Sequence, residues 1–255
     1  MEKNNMPKLA VIILTKNEEA NIEGAMGSAA FADELLIIDS GSTDRTRELV
    51  EQQGAKFISH PMGEDGFAGQ RNYALTQTDA EWVFYLDADE RITLEAASEI
   101  KKLVSQNEQV AYKIKRLNVV FGQMMKYGEH GPDWCVRLFP RMQVQWTGVV
   151  HESPQLKLPI AALRYPLHHY TYTDWHRYFE KFNQYTDLMA KRMWENGKRA
   201  SFVDILIHPA FAFVRFYFLR LGLLDGKQGL IFALNHYFYT MIKYVKLYYK
   251  QREEQ

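Results

Sequence analysis

The stretch "EWVFYLDADE", residues 81–90, carries five consecutive apolar side chains into two aspartates one residue apart. An unbroken apolar run of that length, bounded by polar residues, reads as a strand buried on both faces. Asp87 and Asp89 then stand at its carboxyl end. Such a D-x-D pair has two readings. It is a solvated acidic turn, or it holds a hard divalent cation directly and through water, with diphosphate oxygens completing the shell. The motif alone favours the turn; its setting has to decide.

Working outward, the first hundred residues alternate between two periodicities. "KLAVIIL" (8–14) reads as a buried strand, followed by a helix starting near Glu18. "ELLIID" (34–39) is a second strand, and "TDRTRELVEQQG" (43–54) a helix closed by Gly54. Residues 56–59 give a short third strand, "FAGQRNYALTQT" (67–78) is helical in period, and 81–87 is the fourth strand. Apolar runs between amphipathic helices predict an α/β fold, a mostly parallel sheet flanked by helices. Such sheets bind ligands beyond the carboxyl ends of their strands. Three strands end in polar clusters, at 15–18, 39–44 and 87–89, and that coincidence favours a site over a turn. Asp39 could accept a hydrogen bond from a base edge. Gly41 allows a tight turn, and Ser42 or Thr43 is expected to cap the following helix.

With 255 residues the chain has room for one large domain with an appendage. Its formal net charge is zero, so no nucleic acid or other polyanion is expected as a partner. Cys135 is the one cysteine, which excludes a disulfide framework or a cysteine-rich zinc centre. The N-terminus lacks a secretory apolar stretch, so export is not expected. Between Lys191 and Arg252, eleven Lys or Arg face three acidic residues, so the C-terminal part is basic and the remainder acidic.

From 110 to 170 the alternation in "VAYKIKRLNVVFG" and the Gly-, Pro- and Trp-rich loops predict a mixed sheet, with short strands near 136–139 and 144–150. From 174 the chain turns helical, beginning with a long amphipathic helix capped by Thr173 or Asp174. The expected division is an α/β domain over 1–172, with a first half (1–95) and a second half (96–172), and a helical appendage over 173–255. Within the appendage, 202–224 and 229–250 are very apolar, yet Arg215, Arg220 and Lys243 interrupt them, so neither reads as a membrane span. Pro209 is expected to bend or start a helix. Lys243, Lys246 and Lys250 fall on one helical face among Tyr and Leu, the pattern of a helix lying on an anionic membrane surface. The alternative is an appendage packed on the rest of the protein.

The succession "VIILTKNEE", "LLIIDSGSTDRT", "GQRNYAL" and "WVFYLDADE" resembles the nucleotide-sugar-binding half of family-2 glycosyltransferases, which have the Rossmann-like GT-A fold. The later "RLFP", "WTGVVHE" and "LLDGKQGL" look like the bacterial subgroup that adds glucose to the lipopolysaccharide inner core. The resemblance implies that Thr15, Glu18 and Asp39 hold the uridine of a UDP-sugar, with Arg71 beside the ribose or diphosphate. It implies Asp89 as the main ligand of Mn²⁺ or Mg²⁺, with Asp87 on ribose or metal-bound water, and it makes 1–95 the donor half and 96–172 the acceptor half of a catalytic domain. Glu90 itself reads as a bystander opening the next turn. It further implies a lipid-linked glycan acceptor, and a peripheral position on the cytoplasmic face of the inner membrane.

On the acceptor side, "WTGVVHES" (146–153) ends a short strand in His151 and Glu152. If the chain turns there, Glu152 could be the general base and His151 could complete the metal shell. Asp133 competes for the role of base. Trp134 offers a face for a sugar or is a core aromatic, and Arg137 pairs with a carboxylate or a phosphate. The expected reaction is a single displacement with inversion, needing no protein nucleophile. Transfer to a polyprenyl phosphate or a capsule precursor, and a catalytically silent scaffold, are the competing readings. A nucleotidyltransferase would need a glycine-rich loop that "ILTKNEE" lacks.

Overall fold

Strand β1 (Leu9–Thr15), helix α1 (Ile22–Ala29), β2 (Glu34–Asp39), α2 (Thr46–Gln52), β3 (Lys56–Ser59), α3 (Gly66–Leu75) and β4 (Trp82–Asp87) alternate along the chain of the computed structural model, which describes residues 6–148 and 152–253. The apolar runs are continuous because successive side chains enter different cores. Leu9, Val11, Ile13, Trp82, Phe84 and Leu86 pack on one face of the sheet. Ala10, Ile12, Val83 and Tyr85 pack on the other. Each fully buried Leu, Ile or Val contributes roughly 1.5–3 kcal/mol.

The strand order β3-β2-β1-β4 fixes where a ligand can go. From β1 the chain builds outward through β2 and β3, then returns to place β4 on the other side of β1, all in parallel. The order therefore reverses at β1, and in such sheets ligands bind at that switch point, here beyond the carboxyl ends of β1 and β4. Register brings the expected residues to that level: Thr15 pairs with Asp39, and Leu14 with Asp87.

Beyond β4 come β5 (Glu90–Ile92), α4 (Leu94–Gln106), β6 (Ala111–Val120), β7 (Gln123–Met124) and β8 (Asp133–Pro140). Here the sheet turns antiparallel, as β8 pairs with both β4 and β6. β9 (Gln145–Thr147) and β10 (Ser153–Gln155) form a separate ribbon. β11 (Ile160–Ala162) lies parallel to β6, and β12 (Leu167–Tyr172) pairs with β5 so that His169 faces Glu90. The mixed sheet expected after residue 110 is present.

The chain divides into two compact units, Met1–Arg116 with Asp133–His169, and Leu117–Pro132 with Tyr170–Gln255. The second contains α5 (Trp175–Glu195), α6 (Phe202–Val214) and α7 (Gly226–Glu253), and it also takes in residues 117–132, which sequence places in the acceptor half. Asp174 caps α5 by accepting from the amides of His176 and Arg177. Ser201 and Asp204 form a reciprocal capping box at the start of α6. Asp225, within "LLDGKQGL", is buried and accepts from the amides of Lys126 and Tyr127, clamping that segment to the head of α7.

One expectation about the helices needs correction. Pro209 neither starts nor ends a helix; it is buried inside α6, where its missing N–H costs about 3 kcal/mol. The capping box and apolar packing hold the helix through it. α6 runs into a π-helical turn, Arg215–Leu219, which Arg220 ends. By length and composition Phe202–Leu219 could cross a membrane, with a mean hydropathy of 1.6, Arg215 inside it and 22% of the stretch buried. The lysine face of α7 is also not uniformly free. Lys246 bonds to Asp187 at 2.7 Å and to Asn183 and Thr186, so that cation is spent on packing α5 against α7. Lys243 lies over the rings of Tyr239 and Tyr244, and burial, with Lys198 nearby, lowers its pKa.

Candidate active site

Two loops at the ends of β1 and β2 are stitched together by their own side chains. Asn17 adopts a left-handed conformation (φ 56°), which turns its amide oxygen onto the backbone N–H of Thr43 at 2.8 Å. The Ser42 hydroxyl accepts from the N–H of Asn17, and the Thr46 hydroxyl from that of Glu18, both at 2.8 Å. Glu19 accepts from the amide of Arg45, and Asp44 from that of Glu19. The expectation that Ser42 or Thr43 caps the next helix therefore fails: both are taken by the facing loop, and Asp44 accepts from the Thr46 amide instead. Burial pushes the Asp44 carboxyl up, but the Thr46 hydroxyl and the amide bonds outweigh it and hold its pKa below the ordinary value. The first helix begins at Ile22 rather than near Glu18, because residues 15–21 build this clasp.

Asp39 is buried, and its carboxylate accepts from the amides of Gly41 and Ser42 and from the Ser42 hydroxyl. The carboxylate is thus oriented by its own turn, for which Gly41 supplies φ +95°. Thr15 is buried beside it, and its hydroxyl has no hydrogen-bond partner among the described residues. Glu18 accepts from the Asn21 side chain at the mouth of the loop.

At the end of β4 the acids are surrounded by arginines. Arg71, from α3, places Nη2 3.2 Å from Asp87 Oδ1 and 3.5 Å from Glu152 Oε1. Its guanidinium stacks over Tyr85 and Trp146, and its Nε and Nη1 have no hydrogen-bond partner among the described residues. It is no surface ion pair: the side chain is 6% exposed. Arg137, equally buried, reaches Asp87 Oδ2 at 2.5 Å and Glu90 Oε1 at 2.6 Å. Of the two pairings expected for Arg137, with a carboxylate or with a phosphate, the structure has the first.

Glu90 overturns its reading as a bystander. It is fully buried, accepts from Arg137 and Arg116, and its Oε2 accepts from the backbone N–H of Asp87 at 3.0 Å. Burial, together with the Asp87 charge, pushes the Glu90 carboxyl upward against the pull of Arg137. Asp87 goes the other way: burial would raise it, but Arg137 and Arg71 hold it well below the carboxylate range. The two carboxylates thus share one guanidinium.

Asp89 stands apart from this network. Its Oδ2 lies 3.2 Å from His169 Nε2, and its side chain is about a third exposed. Sequence reasoning missed His169; the strand-like "PLHHYTY" around it was the available signal. His151, the expected metal-shell residue, lies outside the described residues. A carboxylate beside an imidazole suits a divalent cation that takes oxygen and nitrogen ligands. Among the described residues no three His, Cys, Asp or Glu side chains are grouped to hold an ion alone. Any cation here would take the rest of its shell from a ligand and water. Asp87, with both oxygens on guanidiniums, fits a supporting position better than direct ligation.

The acceptor-side residues separate. Glu152 is mostly buried and touches Arg71 only at the long 3.5 Å distance, so its carboxylate stays available. Asp133 has both oxygens on Arg116, at 3.0 and 2.6 Å. Trp134 is exposed rather than in the core, with Lys113 over its ring at 5.2 Å. Cys135 is half-buried, its thiol pushed up by burial.

Comparison with known proteins fits this arrangement. The model described as "Glycosyl transferase family 2" matches residues 10–186. The lipopolysaccharide core biosynthesis glycosyltransferase LpsC of Rhizobium meliloti is 29% identical, over 95% of this chain and 93% of its own length. An uncharacterized glycosyltransferase of Rickettsia bellii is 28% identical, over 94% and 86%. Among solved structures, glucosyl-3-phosphoglycerate synthase from Mycobacterium tuberculosis, in complex with Mn²⁺, uridine-diphosphate and glucosyl-3-phosphoglycerate, is 24% identical over 46% of this chain and 45% of that one. Its TM-score is 0.36, a likeness too slight to bear on the activity. With the family model covering more than half of its residues, the chain belongs to the family-2 glycosyltransferases, enzymes of the GT-A fold.

Proposed function

We propose that this enzyme moves a hexose, glucose on the resemblance of its later motifs, from a UDP-sugar to a lipid-linked glycan, with inversion at the anomeric carbon. The observation that carries the reading is the cluster at the reversal of strand order, where Asp87 and Glu152 share the Arg71 guanidinium. Thr15, Glu18 and Asp39 would meet the uridine, the Thr15 hydroxyl gaining the partner it lacks. Asp89 and His169 would hold the divalent cation, Mn²⁺ or Mg²⁺, which neutralises the charge of a departing diphosphate when bound. The unpartnered nitrogens of Arg71 would donate to the same diphosphate oxygens.

In the reaction the acceptor hydroxyl oxygen forms a bond to the anomeric carbon as the bond from that carbon to the diphosphate oxygen breaks. Glu152 takes the hydroxyl proton, and UDP leaves with the electron pair. Arg71, 3.5 Å from Glu152, would orient that carboxylate toward the acceptor hydroxyl. The buried Arg137–Glu90 contact fixes the turn that presents Asp89.

The acceptor reading draws on the full-length similarity to LpsC, whose name places it in lipopolysaccharide core biosynthesis. A membrane-bound acceptor suits the exposed apolar face of α6, where Phe202, Val203, Leu206, Ile207 and Phe211 are more than half exposed. Peripheral contact at the cytoplasmic face of the inner membrane would bring enzyme and acceptor to one surface. The test is calorimetric titration of UDP-glucose, UDP-galactose and UDP-N-acetylglucosamine with and without Mn²⁺. One donor should bind, and Mn²⁺ should tighten it. Asp89→Ala should abolish the Mn²⁺ dependence and leave the thermal melt unchanged. If no donor binds in either condition, the proposal fails; if Asp89→Ala binds with undiminished Mn²⁺ dependence, the D-x-D is structural.

A further inference from the structure

The unit formed by Leu117–Pro132 and Tyr170–Gln255 contains a half-enclosed cavity of about 140 Å³ that the proposed chemistry does not use. Glu129, Tyr172, Lys181, Tyr185, His236 and Tyr239 contribute to its wall. The volume is that of a single six-membered ring, since an apolar cavity of about 150 Å³ takes one benzene. Benzene needs a dry, apolar wall. This wall carries a carboxylate, an ammonium group, imidazoles and phenols, so the ring that suits it must itself carry hydroxyls.

A pyranose has that character, with C–H faces that pack on aromatic rings and an edge of hydroxyls that need donors and acceptors. The aromatic groups are fixed by one another: Phe182 meets Tyr239 edge-on at 5.6 Å between centroids, and Tyr172 meets Tyr178 at 4.8 Å. Glu129 is oriented by His236, with Oε1 2.6 Å from Nδ1, which leaves its second oxygen to accept from a ligand hydroxyl. Burial, and then the Glu129 charge, push the Tyr172 hydroxyl up to about 12 and those of Tyr178 and Tyr239 upward as well. Phenols that keep their protons can donate to sugar oxygens. An anion fits less well, because the Glu129 carboxylate opposes it and Lys181 is the one ammonium group in the wall.

We infer that this cavity binds one pyranose ring of a glycan, the aromatic walls taking its C–H faces and Glu129, His236 and Lys181 its hydroxyls. The class of ligand follows from the cavity. That the ring belongs to the acceptor glycan rests on the function proposed above.

The inference is tested on the full chain by saturation-transfer NMR with the methyl α-pyranosides of glucose, galactose and mannose, and with inorganic phosphate as competitor. Tyr185 and Lys181 are exposed, so Tyr185→Ala and Lys181→Ala should fold. At least one pyranoside should bind. Its affinity should fall about 10-fold or more in Glu129→Gln, which removes a charged acceptor, and measurably in Tyr185→Ala and Lys181→Ala. No saturation transfer from any pyranoside, equal affinity across parent and variants, or displacement by phosphate would each overturn it. UDP-glucose binding with Mn²⁺ on the same samples separates the two proposals. A protein that takes the pyranoside but no UDP-sugar sinks the donor reading and leaves the cavity's assignment standing.

Discussion

Glu152→Gln should lower glycosyl transfer by about 10²–10⁴-fold, the usual worth of a positioned general base, while UDP-sugar affinity stays within about twofold. The carboxylate lies 3.5 Å from Arg71, too far for a strong hydrogen bond, so its oxygens remain open to accept a proton. Glutamine keeps the shape and loses the basicity, so the change should appear in kcat rather than KM. The competing base, Asp133, has both oxygens on Arg116, and freeing one of them to accept a proton means breaking a bidentate ion pair. Asp133→Asn should therefore retain most of the turnover. The reverse outcome, activity in Glu152→Gln and none in Asp133→Asn, would transfer the role to Asp133.

The second large effect concerns stability. Arg137→Met should cost about 3–5 kcal/mol, because it leaves Asp87 and the fully buried Glu90 without the cation they share. A urea midpoint measurement checks this. The loss should be greater at about pH 8 than at about pH 5. Burial already holds the Glu90 carboxyl above its ordinary value with Arg137 in place, and losing that cation raises it further, so its contribution falls as pH rises through that range. A loss under about 1 kcal/mol would mean that solvent already screens the cluster.

Both effects lie in a region only half legible in sequence. The β1, β2 and β4 strands were readable because each is an apolar run ending abruptly in acid, and parallel strands covered on two faces produce that pattern. The D-x-D could be placed for the same reason. Glu90 could not, since a glutamate after two aspartates looks solvated. What buries it is Arg137, 47 residues later on an antiparallel strand, and Arg116 on the next. His169 escaped notice because its contact with Asp89 spans 80 residues. The helix starts slipped by a few residues for a related reason. Ser42, Thr43 and Asn17 have the local chemistry of caps, yet each spends it on the opposite loop, a pairing no short window of sequence contains. Pro209 within α6 shows capping and packing overriding a local breaker.

The clasp between residues 15–19 and 39–46 has a kinetic meaning as well. Loops closed by their own side-chain bonds have already lost the freedom that a ligand would otherwise have to remove. If these loops take the nucleoside, as proposed, the nucleoside enters a finished slot. Association then needs no loop ordering, and selectivity among bases is a matter of shape at first encounter rather than of closure afterwards. The loops that admit the donor would then add no ordering step of their own, and any slow step in turnover would belong to the acceptor or to the departure of UDP.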